Sequence, residues 1–89
     1  MALDEDALRR FQEKLDEQIR WPSRYLFKFI VPQAKLATLL AAFDGATYSL
    51  RDSKNGKFVG FTAEIEMPSG SAVVDVYRKV SGIDGVIAL

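Results

Sequence analysis

Apolar positions recur along this chain with two different periods, and each change of period marks a new element. Leu8, Phe11, Leu15 and Ile19 fall three or four residues apart with polar residues between them, which predicts an amphipathic helix. Asp4 stands at its N-cap position, and Glu5 and Asp6 occupy a first turn where the helix dipole favours acids. Asp6–Arg10 and Asp16–Arg20 are spaced four apart with the acid first, an order worth roughly 0.2–0.5 kcal/mol per pair. Trp21-Pro22 ends the run, because proline disfavours helical geometry in the residue before it. The narrow stripe predicts a helix that docks, on its own domain in preference to a second copy.

The period then shortens to two. Residues 24–31 (RYLFKFIV) are aromatic and β-branched and read as a strand. Tyr25, Phe27, Phe29 and Val31 form one face; Leu26, Lys28 and Ile30 form the other. Two largely apolar faces fit a central strand that admits one lysine on its less buried side. Pro32 is placed to stop this strand and begin a helix, whose buried stripe is Leu36, Leu39, Leu40 and Phe43 and whose end is Asp44-Gly45. Residues 46–52 and 58–67 read as a hairpin about Asn55-Gly56, the strongest short turn signal. In its second arm Val59, Phe61, Ala63, Ile65 and Met67 alternate with Phe58, Gly60, Thr62, Glu64 and Glu66, while Tyr48 and Leu50 of the first arm face inward. Ser69 and Ser71 can cap a helix with the stripe Val73, Val76, Tyr77 and Val80, whose negative end Arg78 and Lys79 complement. Ser81-Gly82 stops it, and Ile83–Leu89 reads as a short last strand.

After the first helix the order is strand, helix, strand, strand, helix, strand. That is the α+β, ferredoxin-like βαββαβ sandwich, a four-stranded antiparallel sheet with two helices on one face. In this arrangement the first and third strands are central, and those two are the most apolar here. The expected division is an N-terminal helical extension, residues 1–22, followed by the ferredoxin-like domain, residues 23–89.

Composition narrows the chemistry. Eighty-nine residues, 48% of them hydrophobic, fit one domain with its own core. There is no cysteine and no histidine, so disulfides, thiolate sites, thiol nucleophiles and imidazole bases are all excluded. Twelve basic residues balance twelve acidic ones, without the basic excess usual in nucleic-acid-binding domains. The acidic amphipathic start is unlike a signal peptide, and no apolar run approaches bilayer length. The expectation is a soluble, cytoplasmic protein with no cofactor, no metal, no nucleic acid and no membrane among its ligands.

Several activities hosted by this fold can be tested residue by residue. A nucleoside diphosphate kinase needs a histidine, and a copper-chaperone-like domain needs paired thiols. An acylphosphatase-like site needs an arginine after the first strand, where this chain has Val31-Pro32-Gln33. The run Lys57-Phe58-Val59-Gly60-Phe61 faintly echoes an RNA-recognition strand motif, but Phe61 shares the face of Val59 and Ala63 and is expected in the core. Glu64 and Glu66 on the other face would repel phosphate. Lys28 and Arg51 are expected to meet Glu64 and Glu66 in a cross-strand ladder worth about 0.2–1 kcal/mol per pair, the alternative being a polar ligand site. Trp21 and Tyr25 are expected to pack the first helix down.

The segments Tyr25-Leu26-Phe27-Lys28-Phe29-Ile30-Val31 and Tyr77-Arg78-Lys79-Val80-Ser81-Gly82-Ile83-Asp84-Gly85-Val86 resemble the DUF493 family of small bacterial proteins, also called YbeD-like, over residues 20–89. The family's fold resembles the ACT domain, a ferredoxin-like module that binds amino acids and regulates metabolic enzymes. The resemblance implies a non-enzymatic regulatory module that recognises a small metabolite, with a homodimer as one form it takes. The alternative is a protein-interaction adaptor using the N-terminal helix or a sheet edge. ACT domains that bind amino acids commonly place a glycine between first strand and helix, where this chain has Pro32-Gln33. Lys28, Gln33 and Arg51 are the candidate ligand-binding residues.

Overall fold

The computed structural model describes residues 4–53 and 55–89. Its first element, α1 (Glu5–Gln18), is capped by Asp4, whose Oδ1 accepts from the Ala7 N–H at 2.6 Å. Leu8 and Leu15 are buried and Phe11 is partly buried. They pack against a later helix, α3 (Gly70–Val80). The Phe11 ring meets Tyr77 edge-on at 5.2 Å, and Arg78 holds Glu5 through two hydrogen bonds of 2.8 and 3.1 Å. The helix therefore docks on its own chain, as the stripe predicts. The two expected i,i+4 ion pairs do not form. Asp6 pairs instead with Arg9 at 3.1 Å. Asp16 accepts from Trp21 Nε1 at 2.9 Å, because the helix ends before Arg20 and the chain turns back there.

Four strands form one antiparallel sheet in the order β2-β3-β1-β4: β1 (Ser23–Pro32), β2 (Tyr48–Asp52), β3 (Phe58–Met67) and β4 (Ile87–Ala88). The two most apolar strands are central, as expected. Along β1 the residues Phe27, Phe29 and Val31 are buried, and opposite them on β3 so are Ala63, Phe61 and Val59. Period-two geometry puts all six on one face. Leu39, Phe43, Val73, Val74, Tyr77 and Val80 join them in a single core. Phe43 stands 4.7 Å from Phe61 and 5.5 Å from Phe27. Each such ring removed from water contributes about 1.5–3 kcal/mol.

Ser69 caps α3 by accepting from the Ala72 N–H at 3.1 Å. Three other expectations are corrected. Pro32 does not open a helix: β1 runs through it, a 3₁₀ turn covers Gln33–Lys35, and α2 is only Leu36–Ala41. Proline at the last position of β1 lacks only the N–H that a strand end does not need. The inward-facing Tyr48 and Leu50 do lie on the core side, opposite Ala63 and Phe61, yet they remain 41% and 44% exposed. The edge strand they occupy is incompletely covered. The last strand is Ile87–Ala88 rather than Ile83–Leu89. Ile83 and Val86 are buried from a turn in which Gly85 has φ +81°. The hairpin register is symmetric about Asn55-Gly56, with Gly56 at φ +69° and Asn55 Oδ1 accepting from Lys57 N–H at 3.2 Å.

Three measurements check this account. A Cβ on Gly85 would meet the Pro32 ring at 2.7 Å, whereas one on Gly45, at a similar φ of +82°, would meet nothing. Gly85→Ala is expected to cost about 1–3 kcal/mol in urea unfolding, and Gly45→Ala only the backbone part of that. Leu8→Ala is expected to cost about 2–5 kcal/mol in a single transition; a loss below about 0.5 kcal/mol would mean that α1 is peripheral. The hydrogen bonds and charge of Arg78 hold the Glu5 carboxyl below its ordinary 4.5. A depressed carboxyl stabilises the fold above its unfolded value and loses that contribution as pH falls through its folded value. Carboxyl NMR titration of Glu5 should give a midpoint below 4.5, restored to the ordinary value by Arg78→Ala.

Candidate functional site

The face of the sheet opposite the phenylalanines is exposed. Strand alternation places on it Arg24, Leu26, Lys28 and Ile30 from β1, Phe58, Gly60, Thr62, Glu64 and Glu66 from β3, and Ser49 and Arg51 from β2. Ile87 of β4 lies beside Ile30. The register sets Lys28 opposite Thr62 and Thr62 opposite Ser49; in the next row Ile30 faces Gly60, and Gly60 faces Arg51. Lys28 and Arg51 thus flank Gly60 and Thr62 from the two neighbouring strands, with Cα atoms roughly 10–12 Å apart by strand spacing. Their side chains are long enough to converge over the gap that Gly60 leaves.

That gap is a concavity of about 380 Å³ lined by Lys28, Ile30, Ser49, Arg51, Gly60 and Thr62, with Leu50 and Leu89 among its other walls. A Cβ on Gly60 would meet the Arg51 carbonyl at 3.5 Å and the Arg51 Cβ at 3.8 Å, both ordinary contacts. Glycine here serves the shape of the surface and is not required by the backbone. A second, wholly different concavity of about 610 Å³ lies at the end of the sheet, lined by Pro32, Phe58, Gly85, Val86, Ile87 and Ala88. It adjoins the first through Phe58, two residues from Gly60, and through Ile87, opposite Ile30.

The expected ladder of Lys28 and Arg51 with Glu64 and Glu66 is corrected. Arg24 takes Glu64, Nε to Oε1 at 2.7 Å, and Glu66 stands opposite Arg24. Arg51 shares its row with Gly60, two rows from Glu64, too far for an ion pair. Among the described residues, neither Lys28 nor Arg51 makes a salt bridge. Of the three candidate residues, Lys28 and Arg51 are brought together and Gln33 is not. Gln33 follows β1 in the 3₁₀ turn, where its backbone N–H donates to Lys57 O at 2.9 Å. Ser49, Gly60 and Thr62 were not singled out from the sequence as site residues, although the turn centred on Asn55-Gly56 carries the register that aligns them with Arg51 and Lys28.

The remaining clusters read as packing. Phe61 is buried in the core, which leaves Phe58 as the aromatic ring on the open face among the described residues. Tyr25 and Tyr77 share a hydrogen bond of 3.2 Å between their hydroxyls. Burial, and then this bond, push the Tyr77 phenol above its ordinary range, which favours its protonated form. The Trp21–Asp16 bond ties the end of α1 to the start of β1. Among the described residues no group of three His, Cys, Asp or Glu side chains could hold a metal ion, and no helix is long and apolar enough to cross a membrane.

These features define an α+β domain, a four-stranded antiparallel sheet with three helices, whose exposed sheet face carries two cations beside an apolar end. The chain belongs to the DUF493 family, described as Protein of unknown function (DUF493), which matches residues 16–89. The matched segment begins at Asp16, the residue that holds Trp21. No curated protein and no solved structure matches the chain.

Proposed function

We propose that this protein is a non-catalytic regulatory module that binds a small metabolite on the open face of a ferredoxin-like sheet. The observation that carries the reading is that Lys28 and Arg51 line one concavity whose wall holds no acidic side chain. Two cations that make no salt bridge among the described residues, with the carboxylates of their sheet face one and two rows beyond Thr62, form a ready anion site. The order β2-β3-β1-β4, with α2 and α3 contributing to the same core as the inner sheet face, supports the ferredoxin-like and ACT-like reading. Gln33 and the strand-to-helix junction are left out of the site; the ligand lies over Gly60 instead. A chain without histidine or cysteine, whose most perturbed tyrosine is held neutral, offers no activated nucleophile or base, which favours binding over catalysis. We place such a module in the cytoplasm.

A second reading, a protein-interaction adaptor, has one observation in its favour. All five residues of the edge strand β2 are exposed, and an open edge is a template for an added strand. The apolar stripe of α1 is engaged by α3, so the edge rather than the helix is the adaptor surface.

Amide chemical-shift mapping of the full-length labelled chain separates the two. Titration with the low-mass fraction of a bacterial extract is expected to move the amides of Lys28, Ser49, Arg51, Gly60 and Thr62, and Arg51→Ala is expected to weaken the response. Silence in that fraction, with shifts along residues 48–52 from the macromolecular fraction, overturns the metabolite reading in favour of the adaptor.

A further inference from the structure

We propose that the concavity over Gly60 takes a phosphate monoester of a small apolar or aryl group, an inference that rests on the metabolite-binding reading above. Every polar side chain in its wall donates: the Lys28 ammonium, the Arg51 guanidinium and the hydroxyls of Ser49 and Thr62. Of the face's carboxylates, Glu64 stands one row beyond Thr62, where Arg24 engages it at 2.7 Å, and Glu66 stands a further row away. Donor side chains with two positive charges match an oxyanion of like charge. A phosphate monoester carries about −1.5 to −2 at pH 7 and three acceptor oxygens, whereas a carboxylate leaves one cation uncompensated. Arginine's planar fork accommodates two phosphate oxygens, and lysine adds a point charge from the opposite strand.

The second half of the ligand is set by what lies beside the donors. Ile30 and Leu89 line the same concavity, and Phe58 and Ile87 extend the apolar surface into the adjoining hollow with Pro32. Phe58, Ile87 and Leu89 are large hydrophobic residues left exposed. An ester whose apolar remainder covers them gains from both halves of the surface, which inorganic phosphate cannot. A volume of about 380 Å³ is at the small end of ligand sites, so the remainder is compact. A single-stranded nucleic acid fits less well, because successive bases need several rings to stack on. The only aromatic ring on this face among the described residues is Phe58.

The test uses the full-length labelled chain at low salt and follows amide shifts with four probes: phenyl phosphate, inorganic phosphate, benzoate and benzyl alcohol. Phenyl phosphate is expected to move Lys28, Ser49, Arg51, Gly60 and Thr62, to bind more tightly than the other three and to weaken as salt rises. Lys28→Ala and Arg51→Ala should each weaken it about tenfold, the loss of one charge-assisted contact. Both side chains are exposed, so the shifts of Phe27 and Val59 should report an intact core in each variant. Benzyl alcohol binding as well as phenyl phosphate overturns the proposal, since the apolar surface alone then suffices. Inorganic phosphate binding as well removes the ester part, and benzoate binding as well removes the preference for phosphate. If no phosphate probe moves these amides while the low-mass extract does, the phosphate class fails and the metabolite reading stands. If neither moves them, both fail. A short single-stranded RNA that outcompetes phenyl phosphate at the same amides also overturns it.

Discussion

The ten-residue antiparallel pairing of β1 with β3 is the constraint on which the other elements depend. Side chains alternate with a period of two, so a slip of β1 by one residue would carry Phe27 and Phe29 to the solvent face together. At about 1.5–3 kcal/mol per ring, that slip would cancel a large part of the 5–15 kcal/mol that keeps a domain folded. The four ion pairs among the described residues, at roughly 0–1 kcal/mol each, could not restore it. Register is thus decided by burial. The open face inherits its arrangement from that decision: once Phe29 is opposite Phe61, Lys28 must stand opposite Thr62 and Ile30 opposite Gly60.

The helices complete what the strand pair begins. Tyr77 of α3 lies within 5.2–6.4 Å, ring to ring, of Phe11, Tyr25, Phe27 and Phe29, so one side chain joins α1, α3 and β1. Its hydroxyl meets that of Tyr25, which satisfies the polar end of an otherwise apolar position. Arg78, next in sequence, reaches Glu5 at the opposite end of α1 from the Asp16–Trp21 bond. The helix is held by packing along its middle and by polar contacts near both ends. Measured against that packing, the exposed Glu5–Arg78 contact sets orientation more than stability.

Where periodicity was strong the elements were legible in the sequence: β1, β3, α1 and α3 carry runs of alternating or helical apolar positions, and burial follows those runs. The errors fall where an apolar residue is buried by a turn instead of by an element. Ile83 and Val86 look like a strand, yet Gly85 at positive φ folds the segment so that both plug the core. Tyr48 and Leu50 have the right parity, but parity does not say whether an edge strand is covered. Ion pairs were misread for a related reason. Spacing along a helix or across a strand lists which partners are near, and the end of α1 before Arg20, or the reach of Arg24 toward Glu64, decides among them. Lys28 and Arg51 were visible as candidates because alternation put both on the open side. Gln33, named from the junction after β1, lies apart from them in the 3₁₀ turn, where its backbone N–H donates to Lys57 O.

The open face is a divided surface, and the division follows from the same register. Arg24, Glu64 and Glu66 occupy the end near Ser23 and Met67, where opposite charges compensate one another. Phe58, Pro32 and Ile87 occupy the other end, and Lys28 and Arg51 fall at the boundary. A sheet face kept only for solubility has no need to collect its uncompensated cations beside its apolar residues; mixing the signs evenly serves that purpose better. Moving Lys28 by one residue along its strand would turn it into the phenylalanine core and moving Arg51 by one would turn it to the other face, while moving either by two would bring it toward the carboxylates or onto the apolar end. The backbone pairing that buries the rings therefore also fixes where the proposed ligand, with one anionic and one apolar half, would lie.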